Sequence, residues 1–257
     1  KTDDIDWSIN ANFTKNTSEV VSLLDNLDTF IIGEGPDGVT VEARPGEQMG
    51  DIYGNSYVRN DAGEIIYENG LPLTGNRRKV GNYNPDWILG LGTNFNYKGF
   101  NISAQFDIRE GGDIYSYTNA IGRESGILAN TLSWRDGIIG DGVVSDGSGG
   151  FVPNTQQVTA EDWAYAVPRS NAEANIFDAS FVKLRQLSLG YSFSHPVLEK
   201  LRLEGLSISL VGSNLFLWTD VPNIDPEAQG LSGGTLLPGF EVTQLPSTKS
   251  YGFKVNI

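Results

Sequence analysis

Two-residue alternation of apolar and polar side chains recurs along this chain and leaves few folds open to it. In FNISAQFDIRE, Phe100, Ile102, Ala104, Phe106 and Ile108 alternate with Asn101, Ser103, Gln105, Asp107 and Arg109. Only a β-strand puts two such sets on opposite faces. The same pattern carries Ile5, Trp7, Ile9, Ala11 and Phe13, and again Trp87, Leu89, Leu91, Phe95 and Tyr97. It returns in Leu206, Ile208, Leu210, Phe216 and Trp218, and in Tyr251, Phe253, Val255 and Ile257. A further stretch, FVKLRQLSLGYSF, sets Leu187, Leu189, Tyr191 and Phe193 on one face, yet Lys183 and Arg185 share their parity. Either a bulge shifts the register there, or these long side chains snorkel at a polar boundary. The expectation is an all-β, antiparallel fold with strands near 4–14, 86–97, 100–110, 181–193, 205–218 and 248–257.

The connections narrow the choice. NYKGFN is a tight hairpin with Gly99 as its positive-φ residue. SHPVLEKLRLEG is also short, and Ser194 with Pro196 can open a helical turn. The other connections, about 15–84, 111–177 and 219–247, are long and rich in Gly, Pro, Asp and Asn. Long and short connections alternate, so every long one emerges at the same end of the sheet. Transmembrane barrels have this asymmetry, together with an apolar outer band edged by aromatic girdles. Trp87 and Tyr97, on one face and ten residues apart, would stand roughly 23 Å apart along a tilted strand. Trp218, Phe13 and Phe181 would join Trp87 in the outer girdle. Phe95, Phe100, Tyr191 and Phe193 would join Tyr97 in the inner one. Asp107 and Arg109 would then line a wet lumen, because an Arg facing lipid at mid-depth costs about 2–4 kcal/mol.

Composition removes several function classes. Net charge is −14, from 18 basic and 32 acidic residues, which disfavours nucleic acid as a partner. The absence of cysteine excludes disulfides, thiolate metal sites and a Cys nucleophile. The opening KTDDIDWSIN lacks the apolar segment of a signal peptide, and no apolar run approaches the ~20 residues of a membrane helix. No catalytic constellation stands out, so the chain is not expected to be an enzyme. The lone histidine, His195, reads as a turn residue beside a proline. DGVVSDGSGG (141–150) has the composition of a calcium loop without EF-hand spacing, so it reads first as a solvated loop. No other cofactor is expected. The second long connection carries Tyr115, Tyr117, Trp134, Trp163 and Tyr165 beside Arg123, Arg135 and Asp136. Such aromatic faces with polar neighbours suit sugars, peptides or a protein partner. Asp107, Arg109, Tyr115, Trp134, Arg135 and Trp163 are therefore the candidate substrate contacts.

Taken in order and spacing, WSINANFTKNTSEVVSL, IYGNSYVRNDAGEIIYENGLPL, GNYNPDWILGLGTNFNYKGFNISAQFDIREGGDIYS, TLSWRDGIIGDGVV, FDASFVKLRQLSLGYSFSHP, VGSNLFLWTDVPNIDPEA and LPSTKSYGFKVNI resemble the C-terminal part of a TonB-dependent outer-membrane transporter of the SusC/RagA family. The resemblance implies a plugged barrel of about 22 strands, of which this chain supplies the last six or so, without plug domain or signal peptide. It further implies a bacterial outer-membrane location and nutrient import driven by the TonB complex. An oligosaccharide or peptide substrate and a SusD-like surface lipoprotein as partner belong to the same expectation. The rival reading is a secreted soluble β-sandwich, such as a carbohydrate-binding module, which would bury its apolar faces between two sheets.

Overall fold

The structure is a computed structural model that describes residues 5–24, 26–193, 195–232 and 234–257. The alternating stretches form one six-stranded antiparallel sheet, the wall, of strands Ile5–Thr14, Trp87–Tyr97, Phe100–Glu110, Phe181–Ser192, Ser207–Thr219 and Ser250–Asn256. They pair in chain order, and the first and last each pair on one side only. Asp4 and Ser194, part of the expectations above, lie outside the described residues. Register confirms the faces: Ala11, Leu91, Phe106 and Leu184 are successive partners across the first four strands, as are Asn10, Gly92 and Gln105 across the first three.

The apolar face is open rather than buried. Trp7 is 63% exposed, Leu210 64% and Phe253 78%. A sandwich would cover these side chains with a second sheet, and among the described residues no sheet does so. Among the described residues no helix is long and apolar enough to cross a membrane; strands alone carry the pattern.

The off-parity cations mark a bulge. Between Leu184 and Gln186 the fourth strand holds one residue more than its neighbour, since these two pair with Phe106 and Gln105. The fifth strand takes another extra residue opposite, where Asn214 adopts φ +52°. Below the bulge Leu187, Leu189 and Tyr191 face outward; above it Val182 and Leu184 do, so Phe181 and Lys183 turn to the polar side. The girdle position expected for Phe181 is thereby corrected: its ring is buried against the inner face, 6% exposed.

At the short-turn end, Lys98 and Gly99 have φ +47° and +89°, the paired positive values of a two-residue hairpin. A Cβ on Gly99 would sit 2.7 Å from the Ser192 carbonyl oxygen, so the turn also needs the missing side chain. Phe100, Tyr191 and Phe193 cluster edge-on beside it, with ring centroids 4.9 and 5.2 Å apart. At the other end Phe13 lies 6.0 Å from Trp87, and Phe216 stacks on Trp218 at 5.6 Å. Aromatic rings therefore edge the apolar band at both ends.

The three long connections are structured, which alternation alone did not foretell. The first holds a four-stranded sheet of Phe30–Glu34, Thr40–Ala43, Asp51–Tyr57 and Thr74–Asn82. The second holds helices α1 (Tyr117–Glu124) and α2 (Ala160–Ala166), and its strand Asp113–Ser116 runs between Ile176–Asp178 and Phe240–Glu241 of the third connection. Together they form a crown. Its core takes Val39, Val41 and Ile52 from the first connection, Tyr115 and Ala172 from the second, and Phe240 from the third. Of the buried apolar side chains described, only Phe181, Leu184 and Leu215 belong to wall strands. The wall has almost no core of its own.

In lipid, a charge on the open apolar face of the wall should be far more damaging than one on the polar face. Leu210→Arg should destabilise insertion by about 2–4 kcal/mol, while Gln105→Arg should fold and insert normally. Folding yield and unfolding midpoint in lipid vesicles would check this, and equal effects would contradict the facing assigned here.

Candidate functional site

The polar face of the wall carries an ion cluster that joins barrel to crown. Lys183, 2% exposed, donates from Nζ to Asp225 Oδ2 at 2.7 Å and to Glu227 Oε2 at 2.5 Å. The bulged Arg185 donates from Nε to Asp107 Oδ2 at 2.5 Å and pairs through Nη2 with Glu227. Ser247 Oγ donates to Asp225 Oδ2 at 2.5 Å, so one carboxylate ties both arms of the third connection to the wall. Burial raises the Asp225 and Glu227 carboxyls, but the hydrogen bonds from Lys183, Arg185 and Ser247 outweigh it and hold both below the ordinary range. Two cations in an otherwise apolar parity were the visible signal; the partners, in VPNIDPEA, could not be read from spacing. Asp107 and Arg109, both expected on the lumen face, are not partners of each other. Arg109 donates instead to the carbonyl oxygens of Tyr83 at 2.6 Å and Gly111 at 3.3 Å, which fixes the base of the crown.

The crown is knitted by the same means. Glu241, wholly buried, accepts from Ser116 Oγ at 2.8 Å, Thr118 N at 3.2 Å and Thr118 Oγ1 at 2.6 Å, at the start of α1. Glu173 accepts from Tyr57 N at 3.0 Å, Arg59 Nη2 at 2.6 Å and Arg78 Nη2 at 3.1 Å, joining the first two connections. Burial raises its carboxyl, but these three donors prevail and lower it. Asp37 accepts from Arg169 Nη2 at 2.8 Å and from Tyr115 Oη at 2.9 Å.

That last contact corrects one candidate. Tyr115 is fully buried in the crown core, its ring 6.2 Å edge-on to Phe240, and has no surface left for a substrate. Desolvation, with Asp37 beside it, pushes its hydroxyl well above the usual range. Trp134 and Trp163 do come together, with centroids 6.4 Å apart, and Trp163 stacks on Tyr67 of the first connection at 6.5 Å. Leu132, Ile139 and Tyr165 stand exposed in the same connection. Arg135, exposed as well, donates to the Gly126 carbonyl at 3.0 Å. In the glycine-rich stretch weighed for calcium, Asp146 Oδ1 accepts from Ser148 N at 2.7 Å and Gly150 N at 2.9 Å. Among the described residues no three acidic or histidine side chains converge as a metal site.

No family model matches the chain. Curated proteins of Formosa agariphila do, among them TonB-dependent receptor P3, 27% identical over 249 residues, and TonB-dependent receptor P39, 27% identical over a 304-residue alignment. The alignments cover 88% and 98% of this chain but 23% and 28% of those proteins. Among solved structures, the RagAB peptide importer in its open-open state superposes with a TM-score of 0.65, at 17% identity, over 99% of this chain and 27% of that one. Its closed-closed state gives 0.63. The chain is thus similar in sequence to TonB-dependent receptors and shares the fold of the corresponding part of the RagAB importer. It spans about a quarter of the length of the curated relatives it matches. The curated relatives are named as receptors, and the open six-stranded sheet fits part of an outer-membrane barrel.

Two outcomes are expected for the full-length receptor. Lys183→Ala leaves Asp225 buried without its cation and should weaken local stability of the third connection by about 3–5 kcal/mol, read as faster hydrogen exchange over 222–247. The double variant Lys183→Met/Asp225→Leu should recover much of that loss. Glu173 has a lowered carboxyl, so its contribution is complete above its ordinary value of 4.5 and fades as pH falls through its lower folded value. Glu173→Gln should therefore speed exchange over 55–59 at neutral pH, with the difference from wild type closing only in strong acid.

Proposed function

We propose that this chain is wall and crown of an outer-membrane receptor that imports an oligosaccharide or peptide, powered by the TonB complex and lidded by a SusD-like lipoprotein. The observation that carries this reading is the division of labour within the chain. One sheet face is apolar and open, as a lipid-facing wall must be, and the other is polar and charged. Every long connection gathers at one end, where a transporter meets its substrate. The outward apolar residues and the aromatic rings at both edges of the band suit outer-membrane lipid. Coupling to TonB would be made by parts of the receptor other than these residues.

Trp134, Trp163 and Arg135 are the residues we assign to contact with substrate or lid, since aromatic faces beside a guanidinium serve either sugar or peptide. Asp107 and Arg109 supply the charged wall below them, held in place by Arg185 and by backbone carbonyls. RagAB, the structural neighbour, is a peptide importer, which supports keeping peptides beside oligosaccharides as the substrate class.

Deleting the receptor gene should abolish uptake of one fluorescently labelled class, oligosaccharide or peptide. Trp163→Ala should then raise the half-saturating concentration about five- to thirtyfold, the equivalent of about 1–2 kcal/mol, without lowering receptor abundance. Undiminished uptake of both classes in the deletion strain would overturn the import reading.

A further inference from the structure

Where the first and second wall strands end, they part and leave a cavity of about 430 Å³. Residues just after Thr14 form one side and Asn84 to Ile88 the other, while Gln48 closes it from the crown. It lies between two paired strands, not along the open edge of the sheet. Trp87, whose indole lies 6.0 Å from the Phe13 ring, lines it together with Pro85. This places the cavity at the outer aromatic girdle.

Most of its polar side chains are exposed and open to a ligand. Nearby, Arg109, Asp113, Asn82 and Asn84 are all engaged with backbone or with one another. Among the described residues, by contrast, the side chains of Lys15, Asn16, Gln48 and Asp86 make no hydrogen bond or ion pair, and all four line this cavity. Two amides offer donors and acceptors together, and one ammonium and one carboxylate cancel in charge. A flat apolar wall beside mixed donors and acceptors with no net charge matches a pyranose ring. Its C–H face rests on an indole and its hydroxyls both give and take hydrogen bonds. An anionic ligand would be opposed by Asp86, and a cationic one by Lys15. The volume falls within the ~300–1,000 Å³ range of small-molecule sites.

We propose that this cavity is a binding site for a neutral sugar ring, separate from the lumen. The ring could belong to a free oligosaccharide or to the saccharide headgroup of a membrane glycolipid, since both meet the receptor at this level. The proposal concerns binding and does not rest on import, so the two readings can fail independently.

The test uses the full-length receptor in detergent. It is titrated calorimetrically with neutral gluco-, manno-, galacto- and xylo-configured trisaccharides, with an acidic uronate trisaccharide, and with micelles of an uncharged hexosyl diacylglycerol. Gln48→Ala and Asp86→Asn are the main variants, because neither lies in a wall strand. Trp87→Phe keeps a girdle ring while reducing the stacking face. The expected result is binding of a neutral trisaccharide or of the glycolipid, with hydrogen-exchange protection over 84–88, weakened about three- to tenfold in each variant. Neutral trisaccharide binding would identify a free glycan as the source, and binding of the glycolipid alone a lipid headgroup. Binding by neither probe, binding unchanged in all three variants, or preference for the uronate would overturn the proposal.

Discussion

The rest of this structure depends on how a strand disposes of its two faces. In a sheet the amides are satisfied by lateral neighbours, so side chains on either face can meet different solvents without breaking the backbone ladder. Here that freedom is used fully: one face is apolar and open, the other is Asn, Ser, Gln and charge. The wall consequently gains little from burial within the chain. Its stability rests on the ladder and on whatever covers its apolar face, and the chain's own hydrophobic core is displaced into the crown.

A crown built on such a wall needs an attachment, and the bulge provides it. The extra residue in the fourth strand turns Lys183 inward and leaves Arg185 beside Asp107, so two cations meet carboxylates brought by the third connection. A regular strand would have aimed Lys183 at the apolar side, where its charge has no partner. The local irregularity is thus what makes a lysine in an apolar parity tolerable, and it couples barrel register to crown position. Phe240 and Glu241, further along the same connection, then complete the crown core and seat α1.

Legibility of the fold followed the range of the interactions. All six wall strands could be read from alternation, because a strand's facing is a local property with a period of two. The crown could not. Val39, Val41 and Ile52 look like scattered apolar residues in a polar stretch, and their common core exists only once Tyr115 and Phe240 arrive from far along the chain. Tyr115 shows the consequence: its composition and neighbours resemble those of Trp134 and Trp163, yet tertiary packing buries it completely while the tryptophans stay near the surface.

What the sequence determined by itself was the wall: six strands, which residues face outward away from the bulge, and which end carries the long connections. Those follow from side-chain polarity along a pleated backbone and need no knowledge of the partner strand. Only tertiary structure decided the side taken by Phe181 and Lys183, the partners of Arg109 and Arg185, and the difference between buried Tyr115 and the Trp134–Trp163 pair. Most of these rest on contacts between residues in different strands and connections, and such contacts leave no periodic trace in the chain that makes them.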